Sequence, residues 1–321
     1  MPRTILAAAF VALAALVPAA HAGGQQKVTL TLDWTPNPDH VGFYDARDMG
    51  LFAQAGLDVA IRAPSDPTAP LKLVGVGRSD LAVSYEQELF FAAAKKLPVV
   101  AVAAVVPQPL NSFMAIEPQV KSLADLKGKA VGITGVPSDY AILASAGLKG
   151  KVKVVTVGYN LLPALLSHRV GAVLGVYRNV EGIQLQLRGL HPTIIPVERA
   201  GVPTYDELVL VANKTRLNAD PSYRSEVKRF VGAFLAGTDD ARTHPSRALA
   251  ILKRVMASEP TFLARTTPAT LRLLAGPKGV GCLSVGAWQR FGAWMYARGL
   301  LRKHVLAASV VDASFLPRRC R

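Results

Sequence analysis

Between Val28 and Ala212 two kinds of apolar run alternate: short β-branched runs and runs at helical spacing. That alternation constrains the chain more than any other feature. Parallel strands need a crossover of helical length, so strand–helix repetition commits a chain to α/β layers with largely parallel sheets. The pattern predicts strands at Val28–Asp33, Leu57–Ala63, Leu81–Tyr85 and Val99–Val106, with helices at Phe43–Ala55, Leu71–Val76 and Leu89–Lys95. Two proline-interrupted loops, Trp34–Asp39 and Pro64–Pro70, separate them. The pattern then restarts. A helical turn at Ser122–Gly128 leads to strands at Ala130–Thr134, Val152–Val157 and Ala172–Tyr177, with helices at Tyr140–Gly147 and Leu161–Arg169. Glu207–Ala212 reads as a last strand, and the rest is helical.

A chain of 321 residues has room for roughly two domains. The strandless tail cannot form a layered domain alone, so it is expected to pack back on the first unit. The chain then crosses between units twice, near Ser112–Glu117 and Tyr205–Ala212. This predicts lobe I from residues 23–112 and 209–321, and lobe II from residues 113–208. Two lobes joined by two crossovers make a hinged cleft, the usual place for a small-molecule site.

Residues 1–22 read as a cleaved secretory signal peptide. Arg3 supplies the basic start, Ile5–Val17 the apolar run, Pro18 the break and Ala20-His21-Ala22 the cleavage site. No later apolar run is long and uncharged enough to span a bilayer, so the expected location is the periplasm. Export permits a disulfide between Cys282 and Cys320, but spacing alone leaves two free thiols equally open. Two cysteines cannot build a cysteine-rich metal site.

The net charge of +15 would suit a nucleic-acid or membrane surface if it were concentrated in a binding array. It is concentrated: residues 209–321 carry +13, against −2 for residues 23–110 and +3 for 111–208. The basic residues there alternate with apolar ones at helical spacing, as on a solvated helix face. No aromatic residues interleave with them for base stacking, which argues against nucleic acid. Contact with anionic lipid or a membrane partner stays open.

Catalytic signatures are missing. The sequence has no G-x-G-x-x-G, no G-x-x-x-x-G-K-[ST] and no G-x-S-x-G. Its six histidines show no paired metal spacing, and Asp239-Asp240 sits in the basic tail. The expectation is a binding protein that is not an enzyme, holds no cofactor or metal, and is a monomer.

Several segments carry a family resemblance. Asp33-Trp34-Thr35-Pro36-Asn37-Pro38-Asp39-His40 resembles the opening motif of periplasmic binding proteins for the thiamine pyrimidine precursor. Gly50–Val59 matches G-x-F-x-x-x-G-L-D-V, a signature shared with nitrate, sulfonate and taurine binders. Asp80–Tyr85 (DLAVSY), Pro109–Ser112 (PLNS), Gly135–Ser138 (GVPS), Tyr177–Gly182 (YRNVEG) and Trp288–Leu301 (WQRFGAWMYARGLL) extend the similarity over the mature chain. The resemblance implies the type II periplasmic binding fold, with the C-terminal helical segment on lobe I. It also implies an ABC permease as partner and a formylaminopyrimidine or hydroxymethylpyrimidine as ligand, with a role in thiamine biosynthesis. Riboflavin, a sulfonate or another small solute is the alternative, with Arg178 as the candidate counter-ion for an anion. The same branch holds thiamine pyrimidine synthases, which carry a pyridoxal-phosphate lysine, a histidine four residues later and an iron-binding cysteine cluster. The two matching positions here are Ser84 and Glu88, and the cluster is missing.

A methyl-aminopyrimidine has apolar faces and a polar edge, so it calls for stacking surfaces and rim hydrogen bonds. Trp34 is the expected stacking residue, with Tyr85 or Tyr177 over the opposite ring face. Glu181 is expected to accept from the exocyclic amine. Asn37, Asp39 and Asn179 are further edge candidates, although asparagine between prolines also serves turns. His40 either bonds the ligand or caps the following helix. Asn111 and Ser112 lie at the expected crossover. Gly135 and Ser138 belong to a strand–helix turn that offers backbone N–H groups.

Overall fold

The computed structural model describes residues 24–320, so the expected signal peptide lies outside the described residues. Ten strands form two five-stranded sheets. In chain order they are β1 Gln26–Thr31, β2 Leu57–Arg62, β3 Leu81–Ser84, β4 Val99–Val106, β5 Asn111–Ala115, β6 Ala130–Ile133, β7 Lys153–Thr156, β8 Ala172–Tyr177, β9 Thr193–Pro196 and β10 Leu208–Asn213. The first sheet has the order β2-β1-β3-β10-β4 and the second β7-β6-β8-β5-β9.

Each sheet contains one strand that runs against its neighbours. β10 is antiparallel to β3 and β4, pairing Leu210 with Val83 and Ala103. β5 is antiparallel to β8 and β9, pairing Met114 with Val173 and Ile194. Both follow directly on a passage between sheets, and this is the two-lobe type II arrangement. β4 and β10 are buried along their whole length, as expected of Val- and Ala-rich strands covered on both faces.

The strands and helices depart from expectation where local signals are weak. Asn111–Ala115, overlapping the stretch Ser112–Glu117 expected as a crossover, is β5; its residues Asn-Ser-Phe-Met-Ala lack a β-branched pattern, and pairing on both sides makes it a strand. β9 was unmarked because proline stands at both its borders, Pro192 and Pro196. The helix expected over Phe43–Ala55 is two, Val41–Asp48 and Leu51–Gln54, divided at Gly50 in the left-handed region (φ 69°).

The C-terminal segment packs on the first sheet. Helix Pro221–Thr243 crosses helix Val41–Asp48 closely, because Gly237 meets Ala46 and Gly42 where a Cβ would lie 2.6 Å from backbone atoms. Phe43 and Phe234 stack beside that crossing at 4.3 Å. Helix Val285–Ala297 brings Trp288 and Phe291 onto Phe90. The outer edge of β4 is also used: the Ala101 amide donates to Val310, Asp312 donates back to Ala101, and the Ala104 amide donates to Gly281. An edge that would otherwise expose free donors is thereby closed.

Cys282 and Cys320 form a disulfide that joins the two segments covering this edge. They are 38 residues apart, and closing such a loop restricts the unfolded chain by about 4 kcal/mol in the chain-entropy view. Replacing both cysteines by serine should therefore lower the thermal midpoint by several degrees, and reductant should have the same effect on the parent chain only. An unchanged midpoint in both experiments would show that the bond does not hold the tail.

Candidate functional site

The loop after β1 is fixed by side chains rather than by regular structure. The Asn37 Oδ1 accepts from the Asp39 amide at 2.9 Å, capping the short Pro38–His40 turn. The Asn37 amide in turn donates to His40 Nδ1 at 3.3 Å. With Nδ1 accepting, the proton sits on Nε2, which donates to Asp33 Oδ1 at 2.7 Å. Asp33, Asn37, Asp39 and His40 are all buried. This internal scaffold pushes Trp34 outward into the cleft and sets Asp33 to receive the Tyr85 hydroxyl at 3.2 Å.

The opposite wall comes from the second sheet. β8 ends at Tyr177, and Glu181 opens helix Glu181–Leu187, where its Oε2 accepts the Tyr177 amide at 2.8 Å. Within β8, Gly175 has φ 101° beside the register shift at Ser112/Phe113, and a Cβ there would lie 2.9 Å from Thr134. Its amide donates to Asn111 Oδ1 at 3.1 Å. The lack of a side chain leaves room for the cavity floor.

Two small cavities lie between the walls. One, with a free volume of about 30 Å³, is lined by Asp33, Trp34, Tyr85, Tyr159, Tyr177 and Glu181, together with Thr134, Leu161 and Gly175. The other, of about 20 Å³, is lined by Tyr85, Gln87, Asn111, Ser138, Asp139 and Glu207 among others. Space of this size admits little more than one water, because the lobes touch. Tyr159 donates to the Asp33 carbonyl at 2.7 Å, Asn179 donates to Asp39 Oδ1 at 2.7 Å, and the Ser138 amide donates to Glu88 Oε1 at 3.0 Å.

Of the residues expected in the site, Trp34, Tyr85, Tyr177 and Glu181 share the first cavity. Asn111 and Ser138 join the two tyrosines in the second. Asn37 borders an outer groove beside Trp34 and Tyr159, and Gly135 an outer pocket beside Glu88. Asp39, His40, Ser112 and Asn179 line neither inner cavity. Ser112 is fully buried and turns its hydroxyl to the Leu110 carbonyl, while Asn179 bridges Asp39 and Thr270. Arg178 is directed away, its guanidinium donating to the Pro109 carbonyl at 2.6 Å.

Several contributors were not singled out from sequence, among them Asp33, Gln87, Asp139, Tyr159, Gly175 and Glu207. Tyr159 follows a short exposed strand and carries no local signal; only the meeting of the lobes sets it against Trp34, with ring centroids 6.4 Å apart and planes 29° from parallel. Glu207 accepts the amides of Leu110 and Asn111 at 2.7 and 2.8 Å and the Tyr205 hydroxyl at 3.0 Å, so one passage between sheets is tied to the other.

The NMT1/THI5-like family model matches residues 37–248, about two thirds of the chain. The chain belongs to the NMT1/THI5-like family. It is 39% identical over 230 residues to a protein of Haemophilus influenzae named for thiamine biosynthesis, covering 70% of this chain and 72% of that one. It is 34% identical over 298 residues to the formylaminopyrimidine-binding protein of Halalkalibacterium halodurans, covering 88% of each. A 4-amino-5-hydroxymethyl-2-methylpyrimidine phosphate synthase of Saccharomyces cerevisiae is 24% identical over 237 residues, covering 69% of each chain. Among solved structures, the alkanesulfonate-binding protein SsuA from Xanthomonas axonopodis pv. citri superposes with a TM-score of 0.70 at 20% identity, covering 91% of this chain and 99% of that one. That likeness establishes the periplasmic-binding-protein fold.

The cleft of this family member is rich in carboxyls and poor in cations. Desolvation by burial raises Asp39, Glu88, Glu181 and Glu207 to about 7 and Asp139 to about 6. Hydrogen bonds from neighbouring amides and side chains oppose the rise at each of them. A carboxyl whose folded value exceeds its unfolded value binds more protons when folded. Its stabilisation is present below about pH 4 and is lost as pH rises through about 7. Thermal unfolding should therefore give a higher midpoint at pH 5 than at pH 8. The reverse order would show that these carboxyls stay ionised in the fold.

Proposed function

We propose that this chain is the exported solute-binding protein of an ABC importer and that it captures a thiamine pyrimidine precursor, formylaminopyrimidine or hydroxymethylpyrimidine, between its lobes. The observation that carries this reading is the facing pair Trp34 and Tyr159, one ring from each lobe, in a cavity that Glu181 also lines. A flat ring stacked on both faces needs about 7 Å between the flanking rings, at roughly 3.5 Å per contact. The present 6.4 Å is within an ångström of that, so a slight parting of the lobes admits a planar heterocycle. Glu181 and Asp33 then meet its polar edge, and the lobes close on it by a hinge motion at the two passages. The relative named for formylaminopyrimidine binding supports the same ligand class.

Other readings draw less support. A sulfonate or other anion would want a counter-charge, and no lysine or arginine lines either inner cavity. The synthase reading needs a lysine for pyridoxal phosphate where Ser84 stands, and a serine cannot form the imine link. Localisation in the periplasm follows from the reading of residues 1–22. No helix among the described residues is long and apolar enough to cross a membrane. The importer partner is an ABC permease, and the protein works as a monomer without nucleic acid.

Calorimetry against formylaminopyrimidine, hydroxymethylpyrimidine, thiamine, riboflavin and taurine tests this directly. A pyrimidine should bind with micromolar or tighter affinity and the others should not. Trp34→Ala, Tyr159→Ala and Glu181→Ala should each weaken binding about tenfold or more, through lost stacking or a lost buried acceptor. Full affinity in all three variants would remove the site from this cleft.

A further inference from the structure

We propose that Glu88 is a specificity-determining residue that closes this cleft to anionic ligands. The proposal deepens the reading of the cleft as a ligand site. Helix Pro137–Ser145 of the second lobe starts at the cleft, and the first-turn amides of a helix ordinarily attract an anion. Here Pro137 has no amide to offer, the Ser138 amide is taken by a carboxylate of the other lobe and the Asp139 amide by the Val136 carbonyl. Glu88, on helix Glu86–Ala94 of the first lobe and buried, reaches across to accept the Ser138 amide at 3.0 Å. In the turn just before the helix, Asp139 accepts the Gly135 amide at 2.8 Å and the Thr134 hydroxyl at 2.6 Å. An incoming phosphate or sulfonate would find these amides occupied and, at pH 8, above the raised range of Glu88 and Asp139, would meet two carboxylates.

No lysine or arginine lines the inner cavities. Lys72 and Lys95 border the pocket on the outer side of Glu88, not the inner cavities. Beside Ser138, Gln87 lines the inner cavity; it is 5% exposed and its Oε1 has no hydrogen-bond partner. A buried acceptor of this kind is satisfied by a ligand N–H, not by an anion. The ligand class that fits is therefore an uncharged heterocycle bearing donor groups, while its phosphorylated or sulfonated counterparts are rejected. Glu88 thereby does two things at once: it latches the lobes together and takes the place an anionic group would occupy.

The test compares the parent chain with Glu88→Ala and Glu88→Gln. At pH 8, where Glu88 is ionised, calorimetry uses hydroxymethylpyrimidine and its phosphate monoester, and thermal shift uses inorganic sulfate. The parent chain should prefer the alcohol over the monoester by about a hundredfold, in line with like-charge rejection at a buried site, and should not respond to sulfate. In Glu88→Ala the preference should fall about tenfold or more, and sulfate should raise the midpoint. Glu88→Gln keeps an acceptor oxygen for Ser138 but removes the charge, so it should show the same fall with less loss of stability. Should the alanine variant fail to fold, the glutamine variant decides. Discrimination and sulfate silence unchanged in the folded variants would overturn the proposal, as would a parent chain that prefers the monoester. If the parent chain binds neither pyrimidine, the ligand assignment fails while the sulfate comparison still decides the role of Glu88.

Discussion

The clamp at Glu207 is the interaction on which the two-lobe arrangement depends. A single buried carboxyl accepts two consecutive amides, Leu110 and Asn111, from the first passage between sheets, and stands itself on the second. Those amides would otherwise be buried donors without partners, each costing on the order of 1–3 kcal/mol. The clamp therefore fixes where β5 leaves the first lobe and where β10 returns to it. Asn111, the residue it holds, in turn orients Gly175 and with it the cavity floor. Relative placement of the lobes, floor of the cleft and alignment of the two antiparallel strands all follow from this one contact.

Around the clamp the cleft is built by a division of labour. Residues of the Asp33–His40 loop mostly bond to one another and so hold a shape, while Trp34 and Asp33 line the inner cavity. The facing wall contributes Tyr159, Tyr177 and Glu181, which project while their backbones are held by β8 and by helix starts. Burial of so many carboxyls is tolerated because each accepts a backbone amide or a side-chain donor, which removes much of the desolvation cost. Their raised proton affinity is the remainder of that cost, and it lets the cleft carry several acidic groups without full mutual repulsion.

Much of this was legible in the residues. Strands such as Val99–Val106 and Ala172–Tyr177 fell at their observed bounds because an unbroken β-branched or alternating run leaves no competing periodicity. Trp34, Tyr85, Tyr177 and Glu181 stood in motifs whose chemistry was readable. His40 and Asn37 were readable only as alternatives, since turn chemistry and ligand chemistry use the same atoms; here the turn takes them. The strand β5 was hidden because its sequence has no strand propensity and two neighbours impose its conformation.

The sequence by itself determined the layered α/β class, a largely helical tail, the family and the chemical types available to a cleft, because periodicity and motif spacing are local properties; the short antiparallel hairpin of Ala275–Gly276 with Gly279–Val280 corrects the expectation of a strandless tail. Tertiary structure decided which of those side chains meet. Tyr159 faces Trp34 across 125 residues of chain, Glu88 reaches the Ser138 amide in the other lobe, and Cys282 finds Cys320 over the edge of β4. None of these pairs shares a periodic element. Each is set by how two sheets and a returning tail pack, and that packing is a property of the whole chain that no window of residues contains.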